Sequence, residues 1–144
     1  FIIGKGDLVK RYKSQCSDLP NVVFADPVAN KFVQPILQRS SALYFAAHPT
    51  VVLEYGQSLN KLIDYMYSGR PVIGSYSGFP SMIDEADCGE FVPAGDSQAL
   101  VKSLQKWAKR PRHELDAIGK RGRQWVLNNR TYDRLADDYI RLIS

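Results

Sequence analysis

The run Ser58-Leu59-Asn60-Lys61-Leu62-Ile63-Asp64-Tyr65-Met66-Tyr67-Ser68-Gly69-Arg70-Pro71-Val72-Ile73 constrains the chain most, because it specifies a helix, a tight turn and a buried strand without interruption. Ser58 is a good N-cap, since its hydroxyl accepts from the free N–H groups of a first turn. Leu59, Leu62, Ile63 and Met66 recur at the spacing of one helical face, which predicts packing on a sheet. Gly69 falls where a helix ends in a left-handed residue, and Pro71 where it cannot continue. Pro71-Val72-Ile73 then opens a short apolar strand.

The polar side of this helix points to chemistry. At about 100° per residue, Asn60, Lys61 and Asp64 fall opposite the apolar stripe. Lys61 sits in the first turn, where the helix dipole disfavours a cation by a few tenths of a kcal/mol or more. An anion at the helix start removes that conflict, and a helix N-terminus is itself an anion site. Asp64, one turn further in, is a fixed acceptor for a hydroxyl pair such as a ribose diol. Phosphate at the tip and sugar one turn down make a nucleotide site. The same residues also suit a plain surface, with Ser58 only capping, Lys61 and Asp64 forming an i,i+3 pair, and Asn60 solvated. Spacing alone leaves both readings open.

The length of 144 residues predicts one domain, residues 1–144, able to bury a real core. Hydrophobic content of 44% and charged content of 24% are ordinary for a globular chain. No stretch approaches the roughly 18 consecutive apolar residues of a membrane span. Phe1-Ile2-Ile3-Gly4 does not read as a signal peptide, and an opening inside an apolar strand without Met predicts a fragment of a larger protein. A net charge of +4 favours anionic partners weakly, such as nucleotides, phosphorylated lipids or an acidic membrane surface. The basic residues are spread along the chain, so nucleic acid is not expected. Cys16 and Cys88 make neither metal spacing nor a disulfide framework and read as reduced thiols of a cytoplasmic protein.

Taken in order, Phe1-Ile2-Ile3 reads as the end of a buried strand and Gly4-Lys5-Gly6 as a turn into a helix. That turn suits either a phosphate or simple compactness, since the third glycine of the dinucleotide fingerprint is lacking. A helix from about Asp7 to Ser17 would turn Leu8, Val9 and Tyr12 inward. Val22-Val23-Phe24-Ala25 is the next strand, Asp26-Pro27 a turn, and Val28 to Arg39 a helix with Val33, Ile36 and Leu37 inward and an awkward Pro35. Ser41 to Ala47 reads as a parallel strand covered on both faces. A loop with His48, Pro49, Glu54 and Gly56 leads to the central helix. Beyond Ile73, Tyr76 to Pro80 is a turn, Ser81 to Ala86 a short helix and Cys88 to Pro93 a strand. Ala94-Gly95-Asp96 caps a helix through Lys109, with Leu100, Val101, Leu104 and Trp107 inward. Helices over roughly 112–128 and 132–143 complete the chain.

The β-α alternation predicts an α/β fold, a Rossmann-like parallel sheet with helices on both faces. Ligands of such sheets bind outside the carboxyl ends of the strands. Gly4 to Gly6, Asp26-Pro27, His48 to Lys61 and Tyr76 to Pro80 all fall at those ends.

Those residues carry a resemblance. The central run is similar to the "S-x-N-K-x-x-E-Y-M-x-x-G-x-P-V-I" block of one branch of the retaining GT-B glycosyltransferases of bacterial polysaccharide and lipopolysaccharide synthesis. Phe1-Ile2-Ile3-Gly4-Lys5-Gly6 resembles that family's second strand and glycine turn, and Asn21-Val22-Val23-Phe24 its "N-V-x-F" strand. Cys88 to Asp96 is similar to its "C-G-x-x-V-x-x-x-D" block. The order matches nearly the whole chain, as the C-terminal half of such an enzyme with its first strand missing.

The resemblance implies a nucleotide-sugar donor site. Asp64 stands where the family's second motif carboxylate contacts the ribose, as Asp rather than Glu. Ser58, Asn60 and Lys61 would face the diphosphate or sugar. Asp26, Pro27 and Val28 would meet the base, and Gly4 and Gly6 the phosphates. The family's first glutamate falls at Gly56, so Glu54, two residues early, is the candidate catalytic carboxylate only with a rearranged loop. The expected donor is a UDP- or GDP-sugar, with no metal and no other cofactor. The expected acceptor is a glycan or polyprenyl-linked molecule held by an N-terminal domain that precedes this fragment, which alone would not transfer sugar. The inner face of the membrane is a place for peripheral contact. Two alternatives remain: a non-catalytic interaction or regulatory domain of the same fold, and a nucleotide-sugar epimerase, for which His48 and Glu54 are the only local acid/base candidates and do not form a pattern.

Overall fold

A computed structural model describes residues 1–55 and 60–143. Gly56, Ser58 and Leu59, each named above, lie outside the described residues. The chain divides into two compact units, Phe1–Ile36 and Leu37–Ser144.

The first unit holds β1 (Ile2–Ile3), α1 (Val9–Gln15), β2 (Phe24–Ala25) and most of α2 (Asn30–Arg39). β1 and β2 are parallel, with Ile2 opposite Phe24 and Ile3 opposite Ala25. The expected burial does not occur here. Phe1, Ile2 and Ile3 are exposed, and α1 buries no residue, with Leu8 and Tyr12 about half accessible. The physical reason is width: two-residue strands offer too little surface to cover a helix face. α2 begins at Asn30, two residues later than predicted, and accommodates Pro35 in its interior.

The second unit holds β3 (Leu43–Ala46), a 3₁₀ turn (Val51–Tyr55), α3 (Asn60–Tyr67), β4 (Val72–Ser75), α4 (Met82–Glu85), β5 (Gly89–Val92), α5 (Ser97–Ala108), α6 (Arg112–Asn129) and α7 (Tyr132–Ile143). Its sheet is parallel, in the order β3-β4-β5. Leu43 pairs with Val72 and Val72 with Gly89, in unbroken register to the strand ends. Among the described residues the pairing is parallel, as predicted, and is distributed over two sheets.

β4 is central and buried along its whole length. Its successive side chains serve opposite faces, as the pleat requires. Val72 joins Phe45, Leu62, Met66, Ile83, Cys88 and Val126 in one apolar cluster, while Ile73 joins Trp107, Leu115 and Ile118 in another. Helices therefore cover both faces of this strand. β3 departs from the expectation: Leu43 and Phe45 are buried but Tyr44 and Ala46 are exposed, so only one face is covered. It lies at the edge of the three-strand order, and the helices gather over the centre.

Local signals account for most element ends. Leu62 and Met66 of α3 are fully buried, and Gly69 ends the helix at φ +74°. Ser81 and Asp84 form a capping box on α4, with the Ile83 N–H on Ser81 Oγ at 3.1 Å and the Ser81 N–H on Asp84 Oδ2 at 2.7 Å. Asp96 caps α5 through the Ala99 N–H at 2.9 Å. α5 is rotated from its predicted orientation, however. Ser103 and Trp107 are buried, whereas Val101 and Leu104 are 51% and 42% exposed. Trp107 keeps its predicted inward place: its ring enters the core while Nε1–H donates to Glu90 at 2.5 Å. No helix among the described residues is long and apolar enough to cross a membrane.

Candidate functional site

In the first unit, Gly4 directly follows β1 and Asp26-Pro27-Val28 directly follow β2. Because the strands are parallel, both segments lie at one carboxyl edge, and the Gly4 N–H donates to the Ala25 carbonyl at 3.1 Å. Gly4 has φ +147°, and a Cβ built at Gly4 or Gly6 meets nothing within 4 Å. Gly4 and Asp26 to Val28 thus follow two paired strands at one edge, and the chain is open around Gly4 and Gly6.

In the second unit, three loops leave the carboxyl ends of β3, β4 and β5. The ladder runs on past the strands, with Ala47 N–H donating to Ser75 O at 3.0 Å and Tyr76 N–H to Val92 O at 2.9 Å. Serine hydroxyls join the last two loops: Ser77 Oγ accepts from the Ala94 N–H at 2.9 Å and Ser75 Oγ from the Gly95 N–H at 3.3 Å. Among the described residues, Pro49, Thr50, Val51, Glu54, Ser77 and Gly78 line a cleft of about 310 Å³ between the loops. Glu54 thus faces a concavity at the ligand edge of the sheet.

Next to the Gly78 side of this cleft is the hydroxyl of Tyr76, a residue 6% exposed. Its hydroxyl is 2.9 Å from the Phe79 carbonyl and 3.3 Å from the Leu53 carbonyl, the latter also accepting the Phe79 N–H at 2.9 Å. Burial, followed by the charge of Asp84, pushes the Tyr76 phenol above its ordinary value, so it remains a donor at neutral pH. A Cβ at Gly78 would fall against the Leu53 carbonyl oxygen and the Tyr76 hydroxyl, so glycine lets this loop close. The sequence placed Tyr76 to Pro80 at the ligand edge without assigning them a role. The available signal was a glycine two residues after a tyrosine at the end of an apolar strand.

Asn60, Lys61 and Asp64 lie on the exposed side of α3, opposite the buried Leu62 and Met66. Burial and, after it, the Asp64 charge hold the neighbouring Tyr65 phenol above its ordinary value. The turn after α3 is fixed by Arg70, whose Nε–H donates to the Gln38 carbonyl at 2.7 Å and whose Nη1 pairs with Asp116 of α6. Ser58, the predicted cap, lies outside the described residues. His48 is exposed.

A larger cleft, about 390 Å³, opens at the amino end of β5 and includes Asp87, Glu90, Lys106, Arg110 and Arg121. Its charges compensate one another: Lys106 pairs with Glu90 at 2.7 Å and Arg121 with Asp87 at 2.9 Å. Arg110 stacks over Trp107, 4.6 Å from the ring centre. It is the wrong end of a parallel strand for a ligand of this fold. Among the described residues no group of three or more His, Cys, Asp or Glu is placed to hold a metal ion.

Comparison with known proteins agrees with the architecture. The sequence profile described as glycosyl transferases group 1 matches residues 1–110. No curated protein matches the chain. The match spans both carboxyl-edge loop systems and α3, and covers well over half the sequence. The chain belongs to the group 1 glycosyltransferases, as a GT-B type domain with Rossmann-like α/β character.

Proposed function

We propose that this chain is the donor-binding part of a retaining glycosyltransferase that moves a sugar from a UDP- or GDP-sugar to a glycan or polyprenyl-linked acceptor in polysaccharide synthesis. The observation that carries the reading is the cleft at the carboxyl edge of β3 and β4, where a carboxylate, Glu54, stands across from the Ser77-Gly78 backbone. In the first unit, Gly4 and Gly6 approach phosphate, and Asp26, Pro27 and Val28 meet the base. In the second, Asn60 and Lys61, with Ser58, serve the diphosphate, Asp64 accepts from the ribose hydroxyls, and Glu54 faces the sugar. No metal is assigned to the reaction.

The chemistry asked of these residues is modest. As the glycosidic bond breaks, charge grows on the departing phosphate oxygens. Fixed N–H groups, the α3 start and the Lys61 ammonium stabilise that charge better in the transition state than before it. An acceptor entering from the face the nucleotide leaves keeps the anomeric configuration.

The test is calorimetric titration of the intact protein with UDP and with GDP, in wild type and Asp64→Ala. One nucleotide is expected to bind, and its affinity to fall about tenfold or more when the charge-assisted ribose contacts are lost. Unchanged affinity in the variant removes the ribose assignment. Absence of binding to either nucleotide in the wild type removes the donor-site reading.

A further inference from the structure

We infer that Tyr76 is a positioning residue for the reaction, whose buried hydroxyl ties the Glu54 turn to the Gly78 loop and so sets the separation of the two cleft walls. This rests on the reading of Glu54 as the carboxylate facing the donor sugar.

The argument begins with the covalent neighbours. One wall of the cleft is formed by Pro49, Thr50, Val51 and Glu54 and the other by Ser77-Gly78. Tyr76 O–H lies within reach of Leu53 O at 3.3 Å, next to Glu54 in the chain, and of Phe79 O at 2.9 Å, next to Gly78. A phenol has one hydrogen, so it is shared between the two carbonyls or alternates between them. Phe79 N–H closes the same bridge on the Leu53 oxygen at 2.9 Å. The walls therefore meet at one carbonyl, and that carbonyl is two bonds from the Glu54 nitrogen.

The tyrosine is itself held rigidly. Its ring packs 5.1 Å from that of Phe91, which in turn lies 6.3 Å from Phe45. Both belong to or pack against the main apolar cluster. The hydroxyl is thus placed by the core of the sheet, while the residues it fixes are a 3₁₀ turn and a loop with exposed Val51, Val52, Tyr55 and Phe79. Catalytic groups on loops need such support, because a displacement of about 1 Å can cost on the order of a hundredfold in rate.

The test uses the intact protein and release of nucleotide diphosphate from UDP-glucose, UDP-N-acetylglucosamine and GDP-mannose, with water as acceptor. Tyr76→Phe keeps the ring and removes only the hydroxyl. With the donor that is turned over, it is expected to lower kcat about tenfold, to change KM less than about threefold, and to add nothing in a Glu54→Gln background. Gly78→Ala, which forces the same walls apart, is expected to give the same signature. Val126→Ala, a core truncation on α6, is expected to lower Tm while leaving kcat unchanged, which separates positioning from general loss of stability. Unchanged kcat in Tyr76→Phe beside a fall in Glu54→Gln overturns the inference and leaves the function standing. A Tyr76→Phe loss that multiplies with that of Glu54→Gln also overturns it. Unchanged kcat in Glu54→Gln, or turnover of none of the donors by wild type, overturns the reading on which it rests.

Discussion

α6 meets the turn between α3 and β4 at Gly119. A methyl group there would lie 2.8 Å from Arg70 Cα and closer still to the Gly69 carbonyl, where ordinary contacts begin near 3.4 Å. Every one of those atoms is backbone, so none can swing aside. In Gly119→Ala the helix has to retreat by roughly 1 Å, and its buried Leu115, Ile118 and Val126 lose contact with the two apolar clusters. Two effects oppose each other. Helix propensity favours alanine over an interior glycine by about 0.5–1 kcal/mol. Overpacking of this kind costs about 1–3 kcal/mol. The expected net loss is about 1–2 kcal/mol, which lowers Tm by roughly 3–10 °C for a chain of this size. Urea unfolding followed by tryptophan fluorescence checks it, as a lower midpoint at unchanged slope. Two companions calibrate the scale. Gly122→Ala meets side chains rather than backbone, Cys88 at 3.0 Å and Met66 at 3.6 Å, and is expected to cost less. Gly6→Ala meets nothing and is expected to be near neutral. A Gly119→Ala protein as stable as wild type would show that propensity governs this position and would refute the close α6 contact.

Two pH-dependent outcomes follow from the buried Cys88 and the partly buried Glu90. Burial, partly offset by Arg121 and reinforced by Asp87 and Asp84, pushes the Cys88 thiol up from about 9 to about 12. The unfolded thiol ionises first, so stability should fall above pH 9 by about 1.4 kcal/mol per unit until the folded value is reached; Cys88→Ala should flatten that alkaline limb, and an unchanged limb would sink the assignment. Desolvation pushes the Glu90 carboxyl up, but hydrogen bonds from Lys106 and Trp107 with the Lys106 charge outweigh it and hold the group below its ordinary value. Its stabilisation is present above the ordinary glutamate range and lost as pH falls through the lowered value. Lys106→Met should therefore raise the acid-unfolding midpoint, and a midpoint equal to wild type would count against the Glu90 bridge.

The run from Ser58 to Ile73 shows how much was legible in sequence and why. Leu62 and Met66 are buried, Gly69 is left-handed and Val72-Ile73 is the core strand. Those features depend on a 3.6-residue period, a helix stop and an apolar run, all written within one turn or two of chain. The cap at Asp96 was legible for the same reason, whereas the one at Ser81 emerged only in the structure. The order of elements and the parallel pairing followed from their alternation, and with them the edge at which a ligand belongs.

What failed were choices between two locally equal options. Leu100, Val101, Leu104 and Trp107 fit one apolar stripe by spacing, yet α5 keeps Leu100 and Trp107 against the core and turns Val101 and Leu104 outward, while Glu90 takes the indole N–H of Trp107. Leu8 and Tyr12 have helical spacing but no surface wide enough to cover them. Tyr76 looks like any strand-end tyrosine until Leu53, 23 residues earlier, presents its carbonyl. The sequence by itself determined the elements, their stops and the sheet edge, since these are set by neighbours along the chain. The tertiary structure alone decided which helix face turns inward, which glycine touches backbone and which hydroxyl joins the cleft walls, because each depends on atoms brought together only when the sheet forms.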